Sequence, residues 1–169
     1  ESECSGQENQ AASDAANVEP VDASRLLAHS RLLDSVAAFT HHRDVDALDH
    51  SLVLSLAELT SVRSVSLGKY TTDSHGRLRT VVRCTVGAHG HYELRVFEPA
   101  PNDPSLHLLR QGLERVDAHE ELGAEGLHRL IVPILSEGRA VGALQLESDL
   151  PCGDSRPLVA GFARIYANY

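Results

Sequence analysis

The sequence predicts an α+β domain, a meandering antiparallel sheet with helices before, within and after it. Two observations predict this. Apolar residues recur at steps of three and four before residue 60 and again at the end of the chain. Between those stretches the pattern is extended and is broken by Gly, Pro and Asp at close intervals. Strands that follow one another without intervening helices pair as antiparallel neighbours, so a parallel doubly wound sheet is not expected.

Residues 1–22 hold six acids and no Lys or Arg, with almost nothing to bury, and read as a flexible acidic lead-in. The folded unit is expected over 23–169. Asp22, or Ser24 close behind it, suits a helix N-cap. Leu26, Leu33, Val36 and Ala37 repeat at helical spacing, with Leu32 and Phe39 widening the stripe, which predicts a helix from about Ala23 to Thr40. His41-His42-Arg43-Asp44 breaks it. A second helix follows over about Val45 to Leu59, its stripe being Val45, Leu48, Leu52, Leu56 and Leu59.

The period then changes. Val62 to Leu67 alternates as a strand, Thr72 to Gly76 is turn chemistry, and Leu78 to Val86 is a β-branched return strand. His91 to Phe97 reads as a third strand. Pro99, Pro101 and Pro104 punctuate a loop, Ser105 to Val116 suits a short helix, and Glu120 to Gly126 reads as irregular. Leu127 to Leu135 and Ala140 to Glu147, joined through Ser136-Glu137-Gly138-Arg139, form a hairpin. Leu158, Phe162, Ile165 and Tyr169 then mark a terminal helix that continues to the last residue.

Composition bounds the function. The 169 residues, 42% hydrophobic and 23% charged, suit one domain with its own core. A net charge of −9 without a basic stripe argues against nucleic acid. No apolar run approaches the roughly 20 residues that cross a bilayer, and no signal segment opens the chain. Cys4, Cys84 and Cys152 are too few and too scattered for a disulfide framework or a zinc site, which fits a reducing, cytoplasmic setting. The chain contains no Met, as expected of a fragment trimmed from a longer product.

The order of elements and the stretch Arg129-Leu-Ile-Val-Pro-Ile-Leu-Ser-Glu-Gly-Arg-Ala-Val-Gly-Ala-Leu-Gln-Leu-Glu-Ser148 resemble the GAF domain. Such domains show an apolar strand ending in Pro-Ile/Leu, a polar turn with Gly, then a Val-Gly-x-Leu-x-Leu strand. The resemblance covers residues 23–169. It implies a GAF-like (profilin-like) central antiparallel sheet of about six strands, with N- and C-terminal helices on one face. A loop and short helix would cover a small-molecule pocket on the other, and the terminal helices would form a homodimer. Phe162 to Tyr169 further resembles the helix that leads into a GGDEF diguanylate cyclase domain, which implies a covalently attached output domain and cyclic di-GMP signalling.

Chemistry of the chain's own is not expected. No phosphate loop, nucleophile elbow, His-Glu-x-x-His or Cys-x-x-Cys occurs, and no catalytic, metal or cofactor assignment follows. His89-Gly-His91 would place two imidazoles on one side of an extended segment, but no third ligand lies at a natural spacing, so surface histidines are the better account. Cys84 reads as a buried inert thiol. The clustered cysteines of GAF-fold methionine sulfoxide reductases have no match here. Nor has the Asn-Lys-Phe-Asp-Glu signature of cyclic-nucleotide GAF domains. Candidates for lining a pocket are Arg83, Tyr92, Arg95, His107, Arg110 and His128, with Arg83 favoured as a charge set among apolar neighbours. Each also has a plain reading as a solvated residue. Leu158, Phe162, Ile165 and Tyr169 are candidates for a dimer and signalling helix. The expected function is a small-molecule sensor acting on an attached cyclase. Its rivals are a ligand-free dimerisation spacer, a PAS-like sensor and a small redox enzyme.

Overall fold

A computed structural model of the chain describes residues 31, 32, 34, 35, 45–73 and 75–169. Arg31, Leu32, Asp34 and Ser35 are helical, and Leu32 packs against the core. The rest of the expected first helix, its Asp22 or Ser24 cap, His41-His42 and the acidic lead-in lie outside the described residues.

Helix α1 spans Val45–Thr60 and is followed by β1 (Ser64–Tyr70), β2 (Leu78–Val86) and β3 (Tyr92–Phe97). A covering segment comes next, made of helix α2 (His107–Gln111) between two single 3₁₀ turns, Pro104–Leu106 and Gly112–Glu114. Then come β4 (His119–Leu122), β5 (His128–Ser136), β6 (Arg139–Ser148) and helix α3 (Arg156–Tyr166). The strands form one six-stranded sheet in the order β3-β2-β1-β6-β5-β4, antiparallel throughout.

Alternation along the strands divides the sheet into two faces. Val65, Leu67, Val82, Cys84, Leu130, Val132, Ile134, Leu144 and Leu146 turn to the face covered by α1 and α3. There they meet Leu48, Leu52, Val53 and Leu56 of α1 and Val159, Phe162 and Ala163 of α3, all buried. Each of the Val, Leu, Ile and Phe side chains among them contributes about 1.5–3 kcal/mol on leaving water. The opposite face is covered by Leu106, Leu108 and Leu109, which pack on Tyr70, Val81, Ile131 and Ala143. The expected arrangement, helices on one face and a loop with a short helix on the other, is therefore the one observed.

The β5–β6 hairpin closes through Glu137 (φ 50°) and Gly138 (φ 77°), a two-residue turn with both residues left-handed, whose twist matches the strands it joins. β4 opposes only His128–Ile131, so Pro133 lies beyond its end, where no N–H is needed on that side.

Four expectations are corrected. His119–Leu122 is a strand at the sheet edge, not part of an irregular stretch. Val45 is 54% exposed and lies off the buried face of α1. His89, at φ 62°, lies inside a 3₁₀ turn, so His89 and His91 do not share an extended segment. The terminal helix ends at Tyr166, and Ala167-Asn168 form a turn beyond it.

Candidate ligand-binding face

The face under the covering segment has three parallel rows set by the strand register. One row runs Phe97, Val81, Gly68, Ala143, Pro133 across five strands and is apolar. The next runs Arg95, Arg83, Ser66, Gln145, Ile131, His119 across all six. The third runs Glu93, Thr85, Ser64, Glu147, Arg129, Glu121 and is wholly polar. Residues two apart on a strand stand about 6.6 Å apart, so polarity rises over roughly 13 Å.

The apolar row is closed. Leu106 and Leu109 are fully buried above it, and the Tyr70 hydroxyl donates to the carbonyl of Leu109. Burial raises the Tyr70 phenol well above its ordinary value, because the charged form would lose its water. Gly112 completes the contact: a Cβ there would lie 2.3 Å from the Tyr70 hydroxyl oxygen and 3.0 Å from Ala143 Cβ. Only a residue without a side chain lets the segment come this close.

At the centre of the middle row three polar residues adjoin, Ser66 and Gln145 buried and Arg83 half-buried. Arg83 Nε donates to Ser66 Oγ at 2.8 Å, and its guanidinium lies 5.4 Å from the centre of the Phe97 ring, a cation–π contact. Gln145 Nε2 donates to the Ser105 carbonyl at 3.3 Å and to Glu147 Oε1 at 3.2 Å, joining sheet to covering segment. In the third row Glu147 also accepts from Arg129 Nε at 3.1 Å and from Ser64 Oγ at 3.0 Å. This row meets solvent: the Arg129 and Glu147 side chains keep 20% and 17% accessibility, and Thr85 is exposed.

The loop above Arg83 is held down by Arg110, which donates to the carbonyls of Ala100 and Asp103. Asp103 caps the Pro104–Leu106 turn by accepting from the Ser105 N–H at 2.9 Å and hydroxyl at 2.7 Å. The Ser105 hydroxyl, with lesser contributions from Arg83 and Arg110, holds the Asp103 carboxyl below the usual range.

The expected pocket residues thus separate. Arg83 lies on this face beneath the loop, and Arg110 joins it through Asp103. Arg95 shares the face, but its side chain is 72% exposed beside Glu93. His107 is exposed against Gln111. Tyr92 packs with the core on the helix side, and His128, opposite Ser148 and beside Glu120, shares that side. Ser64, Ser66, Arg129, Gln145 and Glu147 were not among the candidates. Their signal is the alternation itself: Leu144 and Leu146 in the core place Gln145 and Glu147 on the other face, and Val65 and Leu67 do the same for Ser64 and Ser66.

The two described thiols lie away from these rows. Cys84 and Cys152 are unpaired, buried on the helix side, and burial raises both above the ordinary thiol value. That environment disfavours the thiolate a redox enzyme needs. Among the described residues no group of three or more His, Cys, Asp or Glu could hold a metal ion, and no helix is long and apolar enough to cross a membrane.

No protein-family model and no curated protein sequence matches the chain. Solved structures do match its fold. The GAF domain of a phosphoenolpyruvate-protein phosphotransferase from Acinetobacter aligns with TM-score 0.59 at 13% identity, over 84% of this chain and 91% of that one. The free methionine-R-sulfoxide reductase of Neisseria meningitidis, solved with its substrate, aligns with TM-score 0.56 at 12% identity, over 88% and 91%. The chromophore-binding domain of a bacteriophytochrome from R. palustris aligns with TM-score 0.54 at 10% identity, over 88% and 62%. The fold is that of the GAF domain.

Proposed function

We propose that this chain is a non-catalytic regulatory sensor domain that binds a small molecule on the polar rows beneath residues 98–106. The observation that carries this reading is the polar run Arg83, Ser66, Gln145, half-buried at Arg83 and buried at the other two. Polar groups are placed inside a fold at a cost in desolvation, and a row of them that opens to water on one side suits a ligand better than a core. The buried, high-pKa thiols favour binding over redox chemistry.

The sensor acts in the cytoplasm on a covalently attached output domain. Diguanylate cyclase is the output to which Phe162-Ala-Arg-Ile-Tyr-Ala-Asn-Tyr169 points, and cyclic di-GMP its signal. A homodimer would use the outward side of α3. Leu158 and Ile165 pack only partly buried at the edge of the core, and Tyr169, beyond the end of α3, is 60% exposed, whereas Phe162 is committed to the monomer's own core.

A second reading, a ligand-free dimerisation spacer, draws on the closed apolar row under Leu106, Leu109 and Gly112. Thermal unfolding with nucleotides, amino acids, organic acids, haem and metals separates the two. A ligand at about 100 times its Kd adds roughly 2.7 kcal/mol, a shift of several degrees for a domain of this size. A dose-dependent rise that Arg83→Ala abolishes is the result expected of a sensor. A flat response with a stable dimer in sedimentation favours the spacer.

A further inference from the structure

Two buried atoms of the middle row, Nη2 of Arg83 and Oε1 of Gln145, have no hydrogen-bond partner among the described residues. The Gln145 amide cannot be turned over to relieve its oxygen. Its Nε2 faces two acceptors, the Ser105 carbonyl and Glu147 Oε1, and a flipped amide would set oxygen against oxygen twice. Oε1 is therefore an acceptor on the far side of the amide, in a residue only 1% exposed. Arg83 gives its Nε to Ser66 and sets its guanidinium against the Phe97 ring, which leaves Nη2 as a charged donor without a partner among the described residues. Arg83 and Gln145 flank Ser66 in the register, so their backbones stand about 10 Å apart across two strand spacings. Neither atom satisfies the other.

We propose that this pair holds the head group of a small α-amino acid, its carboxylate on Arg83 and its ammonium on Gln145 Oε1. The proposal rests on the sensor reading and names the class of its ligand. A guanidinium with a free N–H selects an anionic acceptor, and carboxylate suits its fork geometry best. On the other side the acceptor is a neutral amide oxygen, which takes an N–H donor such as an ammonium. Within an amino acid the carboxylate oxygen and the nitrogen are about 3 Å apart. With a hydrogen bond of about 2.9 Å at each end the head group spans up to roughly 9 Å, and the Arg83 guanidinium, drawn onto Ser66 of the strand between, shortens the gap to be crossed. Leu106 and Leu109 fill the apolar row, so the ligand's side chain points toward the open row of Thr85, Ser64 and Arg129. Small or polar side chains fit that direction. Entry requires the Arg110 and Gln145 bonds to the carbonyls of Ala100, Asp103 and Ser105 to yield, which makes residues 98–106 the element that responds to occupancy.

The test uses the full 169-residue chain, with each common L-amino acid at about 10 mM, in thermal unfolding and then titration calorimetry. At least one is expected to raise Tm by about 3 °C or more. Its N-acetyl and carboxamide derivatives are expected to bind at least about tenfold more weakly, since each blocks one end of the head group. Gln145→Leu and Arg83→Met, verified as folded by circular dichroism, are expected to lose binding. Arg83→Lys, which keeps the charge and loses the fork, should retain part of it. A binder that tolerates N-acetylation or Gln145→Leu overturns the proposal. So does a crystal structure with the binder present that shows only water on the two atoms. If amino acids fail while an organic acid or nucleotide binds and requires Arg83, the zwitterion assignment falls and the sensor reading stands. If nothing in either panel binds, both fall.

Discussion

The Tyr166 hydroxyl on α3 donates a 2.5 Å hydrogen bond to Asp49 Oδ1 on α1, across 117 residues of sequence. The other oxygen of Asp49 is paired with Lys69 on β1, so one carboxylate, 2% exposed, ties together both helices and the sheet. A buried charge left with fewer partners is costly. Tyr166→Phe is expected to lower stability by about 1–2 kcal/mol, since Lys69 still neutralises Asp49. Asp49→Ala is expected to cost about 2–3 kcal/mol, the lower end for a buried pair because Lys69 is 30% exposed. Urea denaturation of the two variants measures both. Equal losses would mean that Lys69 contributes nothing.

Alkaline pH should unfold this protein through two tyrosines. Burial raises both Tyr70 and Tyr166, and Asp49 adds to the rise at Tyr166. A phenol whose folded pKa lies above its unfolded one contributes stability that is fully present below about pH 10 and is lost as pH climbs beyond it. Together the two should make stability fall by up to about 2.7 kcal/mol per pH unit above that point. Urea midpoints between pH 9 and 11 give the slope, which should halve in Tyr70→Phe.

Gly112→Ala should be among the most damaging single-methyl additions in the chain. The new methyl would meet Tyr70 and Ala143, and overpacking of that kind costs about 1–3 kcal/mol. Gly161 is the control. It lies inside α3 with nothing within 4 Å of its would-be Cβ, so Gly161→Ala should stabilise by about 0.5–1 kcal/mol. Thermal unfolding reads both signs.

In a Cys4→Ser background, Cys84 and Cys152 should not react with a thiol-specific chromogenic reagent at pH 8 until denaturant is added. Fast labelling of either thiol in the native protein would revive the redox alternative.

Phe162→Ala should cost about 3–5 kcal/mol, because Phe162 is 2% exposed between α3 and the sheet. Leu158→Ala and Ile165→Ala should cost less in the monomer. If α3 forms a dimer seam, sedimentation should reveal those two, not Phe162, as the residues that weaken it.

What the sequence made legible followed how strongly each segment repeats. Leu78–Val86 and the Glu137-Gly138 hairpin carry both period and turn chemistry, and strand β2 coincides with its expected limits. His119–Leu122 has neither: three of its four residues are polar, and it is a strand because β5 supplies the partner. Arg83 was visible as a charge among apolar neighbours, whereas Gln145 and Ser66 become a site only when register sets them side by side across strands distant in sequence. Tyr92 and His128 show the converse. Their chemistry suits a pocket, but alternation turns them to the helix side. The stripe on α3 had the right spacing for a helix, yet spacing alone does not say whether Phe162 faces a sheet or a second copy.

Strand β1 carries Ser66 on one side of the sheet and, three residues on, Lys69 on the other. Ser66 sits in the row beneath the loop, and Lys69 is clasped by the Asp49 that also holds Tyr166. Roughly 10 Å of strand backbone therefore separates the polar row beneath the loop from the clasp between the first described long helix and the last, so a substitution at either end is read at the other through one strand alone.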